Sequence, residues 1–264
     1  MKSIYIHTNE DLKSLETKDK LIELLNKNDF RIFDSFVSDV DIVIVIGGDG
    51  TFLNGIKEAN YYDALILGIN TGHLGFFADF TPNNLQEVVD TCLKENYRIQ
   101  KCKTIKVELE TDKDIITLDP AVNDVFIKHG HSSIIHLDLL VGDEYIESFS
   151  GDGILISSSA GSTAYNYSLG GSIIDPRVDL LQITPVAPAN NSVYRCITSS
   201  LLTPANEKIV IIPKDEDNTI VVIDGNENNI EGIKKIVVTL SNEEIRIIRG
   251  SNYSFWGKVK SKFL

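Results

Sequence analysis

An unbroken run of β-branched residues, Ile42–Ile46, is followed directly by the glycine-rich segment 47–51 (GGDGT). A continuous apolar run of this kind is typical of a strand buried on both faces of a parallel sheet. Glycines after the strand let the backbone approach a ligand, and the N–H groups of a following helix can bind an anion. The buried run and the glycine-rich segment together predict an open α/β sheet with a ligand site at the carboxyl ends of its strands.

Helix and strand patterns alternate through the first hundred residues, which predicts an α/β domain over residues 1–100. Thr81 and Pro82 are suited to the N-cap and the first position of a helix. The predicted helices are 12–28, 51–60 and 82–96, and a second buried strand is predicted over 64–69.

Short β-branched runs without long helical patterns replace this alternation after residue 100, and they predict a β-rich, sandwich-like domain over residues 101–250. Turn signals at Gly142-Asp143, Asp224-Gly225 and Ser241-Asn242 separate some of them. The predicted strands are 105–109, 122–127, 134–141, 145–149, 154–157, 209–212, 220–223, 236–240 and 245–248.

The last segment, 251–264, contains the single tryptophan, Trp256, beside Phe255. A loose tail rarely carries so much apolar surface, so we expect this segment to pack back on the first domain. Its lysines, Lys258, Lys260 and Lys262, are expected on a solvated face.

Charge and composition limit the partners of the chain. The net charge is −13, which argues against nucleic acid as a partner, because phosphate backbones need a basic surface. Ile42–Ile46 is the longest aliphatic run, far short of the ~20 residues of a membrane span. The three cysteines are scattered and odd in number, which predicts reduced thiols and a cytoplasmic protein.

Asp49 is unusual among glycines that could cradle phosphates, because its charge repels them. It is explained if it accepts a proton or a hydrogen bond from an attacking hydroxyl, and the alternative is an aspartate that caps a helix. Neither G-x-x-x-x-G-K-[ST] nor G-x-G-x-x-G occurs in the chain, which argues against a P-loop enzyme and a dinucleotide-binding dehydrogenase.

Three further segments are candidates for the site. Residues 70–77 (NTGHLGFF) follow the second buried strand and are expected beside the first loop, with Phe76 or Phe77 against a flat ligand or in the core, and His73 as a ligand contact or a loop residue. Asn123-Asp124 can serve one ligand only if their strand bends or ends there. Residues 151–171 are rich in small and hydroxyl side chains suited to a polar ligand.

Three histidines, His129, His131 and His136, lie close in sequence. They invite a zinc interpretation, although solvent-facing side chains on a hairpin explain them more simply.

With these motifs together, the chain resembles the NAD kinase family, particularly its short Gram-positive bacterial type. The resemblance covers nearly the whole chain and depends on GGDGT at 47–51, NTGHLGF at 70–76, Asn123-Asp124 and GSTAYNYSLGG at 161–171, in that order. It implies transfer of the ATP γ-phosphoryl group to the adenosine 2′-hydroxyl of NAD, giving NADP.

The resemblance also implies roles for individual residues. Asp49 matches the catalytic aspartate that engages the 2′-hydroxyl, and Gly47, Gly48, Gly50 and Thr51 match the phosphate loop. The residues that match the NAD pocket are Asp49, Gly50, Phe76, Asn123, Asp124, Asp152, Ala160, Thr163, Ala164, Tyr165, Ser168, Ala187 and Asp224.

Similar enzymes require a divalent metal, usually Mg²⁺, which the ATP phosphates would hold, and no metal ligand of the protein is assigned. They form homodimers or homotetramers, and some accept inorganic polyphosphate in place of ATP.

Three positions depart from the family pattern. Asp124 stands where the family has Glu, Ser150 where short bacterial members have Arg, and residues 158–160 (SSA) replace Thr-Pro-Ser or Thr-Pro-Thr. Each change can weaken NAD binding or alter the preference between NAD and NADH. Two other functions remain open on the sequence: a lipid or sugar kinase that shares the GGDG loop, and a non-catalytic NAD(P)-binding sensor.

Overall fold

The computed structural model describes residues 1–61, 64–72, 75–191 and 195–264, and these form two compact units. The first unit comprises residues 1–101 and 244–264, and the second comprises residues 102–243. The first unit is therefore assembled from both ends of the chain.

The secondary structure follows this order along the chain: β1 Ser3–Thr8, α1 Leu12–Asn26, β2 Arg31–Phe33, β3 Ile42–Ile46, α2 Asp49–Glu58, β4 Leu65–Ile69, a 3₁₀ turn Pro82–Asn84, α3 Leu85–Lys94, β5 Arg98–Thr111, β6 Ile115–Thr117, β7 Asp124–His129, β8 Ile135–Val141, β9 Glu144–Gly151, β10 Gly153–Ser158, a 3₁₀ turn Ala160–Thr163, α4 Tyr165–Ser168, β11 Leu180–Val186, β12 Leu201–Pro204, β13 Ile209–Pro213, β14 Thr219–Ile223, β15 Asn226–Asn228, β16 Ile233–Arg249 and α5 Phe255–Phe263. Both β5 and β16 have residues in each unit.

The first unit is an α/β domain built on a parallel sheet in the order β2-β1-β3-β4, continued by the end of β16. Every residue of β3 is buried, as the β-branched run predicts. The strands pack against α1 and α3 in one apolar core, to which Leu21, Leu25, Val88 and Val89 contribute.

The first-unit helices form where the sequence patterns predict them, with shifted ends. The helix expected from residue 51 begins earlier, at Asp49, so this residue belongs to α2 and Gly48 is its N-cap. The helix expected from residue 82 begins with a 3₁₀ turn, in which Asn84 Oδ1 accepts the N–H of Thr81 at 2.7 Å. That side-chain bond tightens the first turn before α3 starts at Leu85.

The second unit is β-rich and has the predicted sandwich character. One layer runs β12-β11-β10-β7-β14-β15, and the other contains β13, β8, β9 and the second-unit part of β16. The described pairings in both layers are antiparallel. Inward-facing aliphatic residues of the two layers form a single core.

The predicted strands differ from the structure at several places, since β2, β6, β12 and β15 are absent from the prediction and β5 begins earlier, at Arg98. The turn expected at Ser241-Asn242 is wrong, because β16 continues through it from Ile233 to Arg249. Ladder pairing on both sides of this dipeptide, at residues 236–238 with β13 and at 246–247 with β4, outweighs its weak turn preference. The sequence patterns do not predict strand β11, because the polar residues Gln182 and Thr184 interrupt its apolar run.

The C-terminal segment packs back on the first unit, as expected, and forms the helix α5. Phe255 anchors the helix and is 8% exposed. Within the described part of the chain, no helix combines the length and the apolar character of a membrane span.

Candidate functional site

The glycine-rich segment follows the buried strand β3 at its carboxyl end. A Cβ at Gly47 would meet Thr51 Oγ1 at 2.5 Å, so close backbone packing requires glycine there. At Gly48 and Gly50 a Cβ would meet nothing within 4 Å, so the space above both residues is open. A ligand can therefore approach the backbone at the start of α2, where helix N–H groups favour an anion.

Asp49 directs its carboxylate to a neighbouring loop. Oδ2 accepts the N–H of Phe76 at 2.9 Å, and Oδ1 accepts the N–H of Phe77 at 3.3 Å. The two loops meet because β3 and β4 are adjacent parallel strands, as the sequence predicts. The side chain is held by the backbone of residues 76–77, and the capping alternative is not needed to explain it.

Gly75 lies directly against this carboxylate. A Cβ at Gly75 would be 2.0 Å from Asp49 Oδ1 and 2.6 Å from its Cγ. The position accepts only glycine while Asp49 keeps its orientation. His73 and Leu74, in the same motif, lie outside the described residues.

Both phenylalanines of this loop are buried, with exposures of 7% for Phe76 and 5% for Phe77. Phe77 stacks on Phe52 of α2, with ring centres 4.9 Å apart. Phe76 contacts two rings of α5, Phe255 at 6.2 Å and Phe263 at 5.6 Å. In this structure the Phe76 side chain thus packs against the C-terminal helix.

The lysines of α5 are not all on a solvated face, and for Lys258 that expectation is wrong. Its side chain is 12% exposed, pairs with Asp79 at 2.6 Å, and donates to the carbonyl oxygens of Phe76 at 3.2 Å and Ala78 at 2.5 Å. Burial lowers the pKa of Lys258, although the adjacent Asp79 carboxylate opposes that shift. Because residues 76–79 gain these bonds, α5 holds the loop that orients Asp49.

Sequence reasoning missed Asp79 and Arg249 altogether. Arg249 Nη1 lies 3.0 Å from Asp79 Oδ1 and 2.5 Å from the carbonyl oxygen of Phe77, and its side chain is 3% exposed. These groups are 170 residues apart along the chain, so no local pattern could have paired them. The i, i+4 spacing of Lys258 and Lys262 indicates only that these two lysines would share one face of a helix, and it does not point to Asp79 or Arg249.

In the second unit, Asn123 and Asp124 lie where strand β7 begins, which is the arrangement that lets adjacent residues serve one ligand. Asp224 organises them from the turn between β14 and β15. Its carboxylate accepts the N–H of Val122 at 2.7 Å, of Asn123 at 2.8 Å and of Asp124 at 3.0 Å. The Asp224 side chain thus acts on the backbone that presents Asn123 and Asp124.

Two carboxyl groups are therefore buried close to each other. Burial, and then the nearby Asp224 charge, raise the pKa of Asp124 to about 7. Burial also raises the pKa of Asp224, against three backbone N–H groups that lower it. At neutral pH Asp124 can change its protonation state, so it can donate or accept a hydrogen bond to a ligand.

Buried polar atoms without partners mark the same region. Among the described residues, Asn123 Oδ1 and Ser157 Oγ have no hydrogen-bond partner. Ser157 lies opposite Asp124 in the β7–β10 ladder. Because a buried polar atom without a partner is costly, these two atoms favour a polar ligand here.

The segment after β10 forms the 3₁₀ turn from Ala160 to Thr163 and then α4. A Cβ at Gly161 would meet the backbone oxygen of Asn123 at 2.0 Å, so this turn packs tightly on the Asn123 segment. Ala164 precedes α4, and Ser168 ends it. Tyr165 is 43% exposed and meets Phe126 edge-on, with ring centres 5.8 Å apart.

Asp152 is exposed between β9 and β10, and its backbone N–H donates to the carbonyl oxygen of Val186 at 3.0 Å. Ala187, the next residue after Val186, has a left-handed backbone with φ of 45°. Ser150, one of the three positions noted above as departures from the family pattern, is buried, and its Oγ lies 2.8 Å from His136 Nδ1. The serine therefore occupies an interior position in this chain.

His129 and His131 lie side by side, with ring centres 5.8 Å apart, and the N–H of His131 donates to His129 Nδ1 at 3.0 Å. His136 contacts Ser150, and His129 Nε2 lies 3.3 Å from Asp215. In the ranges that the structure describes, there is no group of three His, Cys, Asp or Glu side chains suited to hold a metal ion.

Comparison with known proteins matches two family models to the chain. The model of the ATP-NAD kinase N-terminal domain matches residues 5–97, and that of the C-terminal domain matches residues 122–250. The NAD kinase of the Gram-positive bacterium Finegoldia magna is 33% identical over 269 residues, which cover all of this chain and 98% of that protein.

Two solved structures share the fold. Yeast NADH kinase complexed with NADH superposes with a TM-score of 0.85 at 20% identity, over all of this chain and 87% of that one. An NAD kinase from Archaeoglobus fulgidus in complex with ATP gives a TM-score of 0.78 at 21% identity, over 99% of each chain.

Proposed function

The chain belongs to the NAD kinase family of phosphotransferases, and from that premise we propose how its residues carry the transfer of the ATP γ-phosphoryl group to the adenosine 2′-hydroxyl of NAD. The observation that carries the proposal is the Asp49 carboxylate, held by the N–H groups of Phe76 and Phe77 beside the open glycine loop. Both oxygens keep a lone pair for a further hydrogen bond.

In the proposed step, the 2′-hydroxyl oxygen attacks the γ-phosphorus, and the bond from that phosphorus to the β,γ-bridging oxygen breaks. ADP leaves with the bonding electrons. Asp49 orients the attacking hydroxyl by accepting its hydrogen bond, and it takes the proton as the new ester forms. Because the transition state is loose, positioning contributes more than early deprotonation.

Gly47, Gly48, Gly50 and Thr51 bind the donor phosphates through their backbone in this proposal. A divalent metal ion, held by the ATP phosphates, would supply neutralisation of their charge, which a chain of net charge −13 needs. ATP is the co-substrate, and polyphosphate as an alternative donor remains to be tested.

Most of the proposed NAD-binding residues belong to the second unit. The unpartnered Asn123 Oδ1 and the adjacent Asp124 carboxyl are suited to bind ribose hydroxyls or the adenine edge. Asp224 positions both through their backbone. The other proposed contacts are Phe76, Asp152, Ala160, Thr163, Ala164, Tyr165, Ser168 and Ala187.

Replacement of Asp49 by Asn tests the proposal. We expect Asp49→Asn to lower kcat about 10²- to 10⁴-fold with little change in the calorimetric Kd of NAD, because the amide cannot take the proton. Turnover is measured with NAD, ATP and Mg²⁺ and an NADP-specific dehydrogenase. Asp19→Asn, at an exposed position of α1, should behave as the parent protein.

Near-parental turnover in Asp49→Asn would refute the assigned role. A parent protein that binds NAD but consumes no ATP would favour the sensor function.

We also propose a cytoplasmic homodimer or homotetramer. The three buried free thiols, Cys92, Cys102 and Cys196, support a reducing compartment. Light scattering on the purified chain measures the oligomeric state, and a monomer would contradict this part of the proposal.

A further inference from the structure

Helix α5 brings a cation with unused donors to the glycine loop. Lys262 Nζ lies 4.0 Å from Asp49 Oδ2 and 4.8 Å from the centre of the Phe76 ring. The ammonium group carries three hydrogens, and within the described residues no oxygen lies at hydrogen-bond distance from it. The side chain is 35% exposed, so a ligand can reach it.

Lys258, one turn earlier on the same helix, is different. Its ammonium group is occupied by Asp79 and by the carbonyl oxygens of Phe76 and Ala78. Lys258 therefore fixes the helix, and with it the place of Lys262. Phe263, packed on Phe76, holds the end of the helix.

Phosphoryl transfer at the glycine loop 47–51 requires a positive charge nearby. Residues 47–51 contain no Lys or Arg, while Asp49 adds a negative charge beside the position proposed for the phosphates. In phosphoryl transfer, charge spreads over the equatorial oxygens of the transferred group and must be offset. A lysine near that position reduces the excess of negative charge there.

We propose that Lys262 is a phosphate-binding residue of the transfer site. It pairs with Asp49 in the free protein and donates to an oxygen of the terminal phosphoryl group of the donor in the complex. The ligand class is a terminal phosphoryl group on a polyphosphate chain, either of ATP or of inorganic polyphosphate. This inference rests on the role proposed above for Asp49.

The test compares Lys262→Gln with Lys260→Gln in the full-length chain. Both variants lose one positive charge on α5, but Lys260 is exposed, and no described contact links it to the loop. We expect Lys262→Gln to lower kcat/KM for ATP about 10- to 100-fold, the loss of one charged hydrogen bond, with KM for NAD nearly unchanged. Lys262→Arg should recover part of the loss, and Lys260→Gln should match the parent protein.

Two binding measurements separate phosphate recognition from a structural effect. Competition by tripolyphosphate against ATP should weaken in Lys262→Gln, whereas competition by AMP should not, because AMP lacks the terminal phosphoryl groups. Emission of Trp256, which lies on α5, and the thermal midpoint should stay at the parental values.

Equal kinetics in Lys262→Gln and Lys260→Gln would overturn the proposal. So would equal weakening of tripolyphosphate and AMP, or a shifted Trp256 emission with unchanged KM for ATP, since each indicates a structural role. The role of Asp49 is tested separately: if Asp49→Asn is inactive while Lys262→Gln is fully active, only the lysine proposal fails.

Discussion

Asp49 shows how one side chain depends on its neighbours. Its carboxylate is oriented by two backbone N–H groups of another loop, and Gly75 leaves just enough room for it. A carboxylate fixed in this way needs little reorganisation when a hydroxyl arrives, which is the requirement for a positioning group in catalysis.

Replacement of Gly75 by Ala should disable the site without unfolding the chain. The added Cβ would overlap Asp49 Oδ1 and force the carboxylate from its two N–H donors, so we expect kcat to fall about 100-fold. Gly72→Ala is the matched control, because its Cβ would meet no atom closer than 3.9 Å. The coupled NADP assay measures both variants, and equal activity of the two would contradict this account.

At the level of elements, the turn between β14 and β15 determines how β7 begins. Asp224, with φ of 46°, and Gly225, with φ of 84°, form the tight turn that the sequence predicts. The turn places the Asp224 carboxylate under the first residues of β7, where it collects three N–H groups. That arrangement buries Asp124 beside a second carboxyl group and raises its pKa.

This pKa shift predicts how stability depends on pH. Folded Asp124 keeps its proton up to about pH 7, while in the unfolded chain it ionises near the ordinary value of ~3.9. Between these values the folded state binds more protons, so the free energy of unfolding falls as pH rises and levels off above pH 7. One such group gives a slope of up to about 1.4 kcal/mol per pH unit.

Asp124→Asn should therefore flatten the pH profile between pH 5 and about 7, measured by urea unfolding followed by circular dichroism. Asp143→Asn is the control, because that side chain is 95% exposed. Parallel profiles for Asp124→Asn and the parent protein would disprove the assignment.

At the scale of the whole molecule, the first unit combines two stretches of sequence, 1–101 and 244–264, and the second unit lies between them along the chain. Asp79 joins the two stretches of the first unit, since it accepts from Arg249 at 3.0 Å, Gly250 N–H at 3.0 Å and Lys258 at 2.6 Å. Arg249, Asp79 and Lys258 have side-chain exposures of 3%, 9% and 12%. The return of the chain is therefore fixed by a buried charge cluster as well as by aromatic packing.

Asp79→Asn should destabilise the first unit by about 3–5 kcal/mol, because it leaves two largely buried cations without their acid. Trp256 is the only tryptophan and belongs to this unit, so its fluorescence follows the unfolding in urea. Asp90→Asn removes an exposed pair with Lys94 and should leave the unfolding midpoint close to that of the parent protein. Equal midpoints for the two variants would argue against the cluster.

Much of this protein follows from local sequence. The β-branched run Ile42–Ile46 favours a strand that is buried on both faces of a sheet. The glycines after it permit the close turn at Gly47. The motifs at 47–51, 70–76, 123–124 and 161–171 carry the resemblance to the NAD kinase family, and each can be read from a short stretch of sequence. Hydrophobic periodicity and turn preferences depend on residues that are close in sequence, so they can be recognised from the sequence alone.

The partners of the candidate site are decided in three dimensions. Nothing local links Asp79 to Arg249 or Asp49 to Lys262, and nothing shows that β16 runs through Ser241-Asn242. These features depend on ladder pairing and on the energy of burying charges, and both arise only when distant segments meet. The sequence thus determines the main helices and strands, the motif loops and the family. The folded chain decides which groups orient Asp49, and it decides that Lys258 is largely buried in a charge cluster while the ammonium group of Lys262 stays available to a ligand.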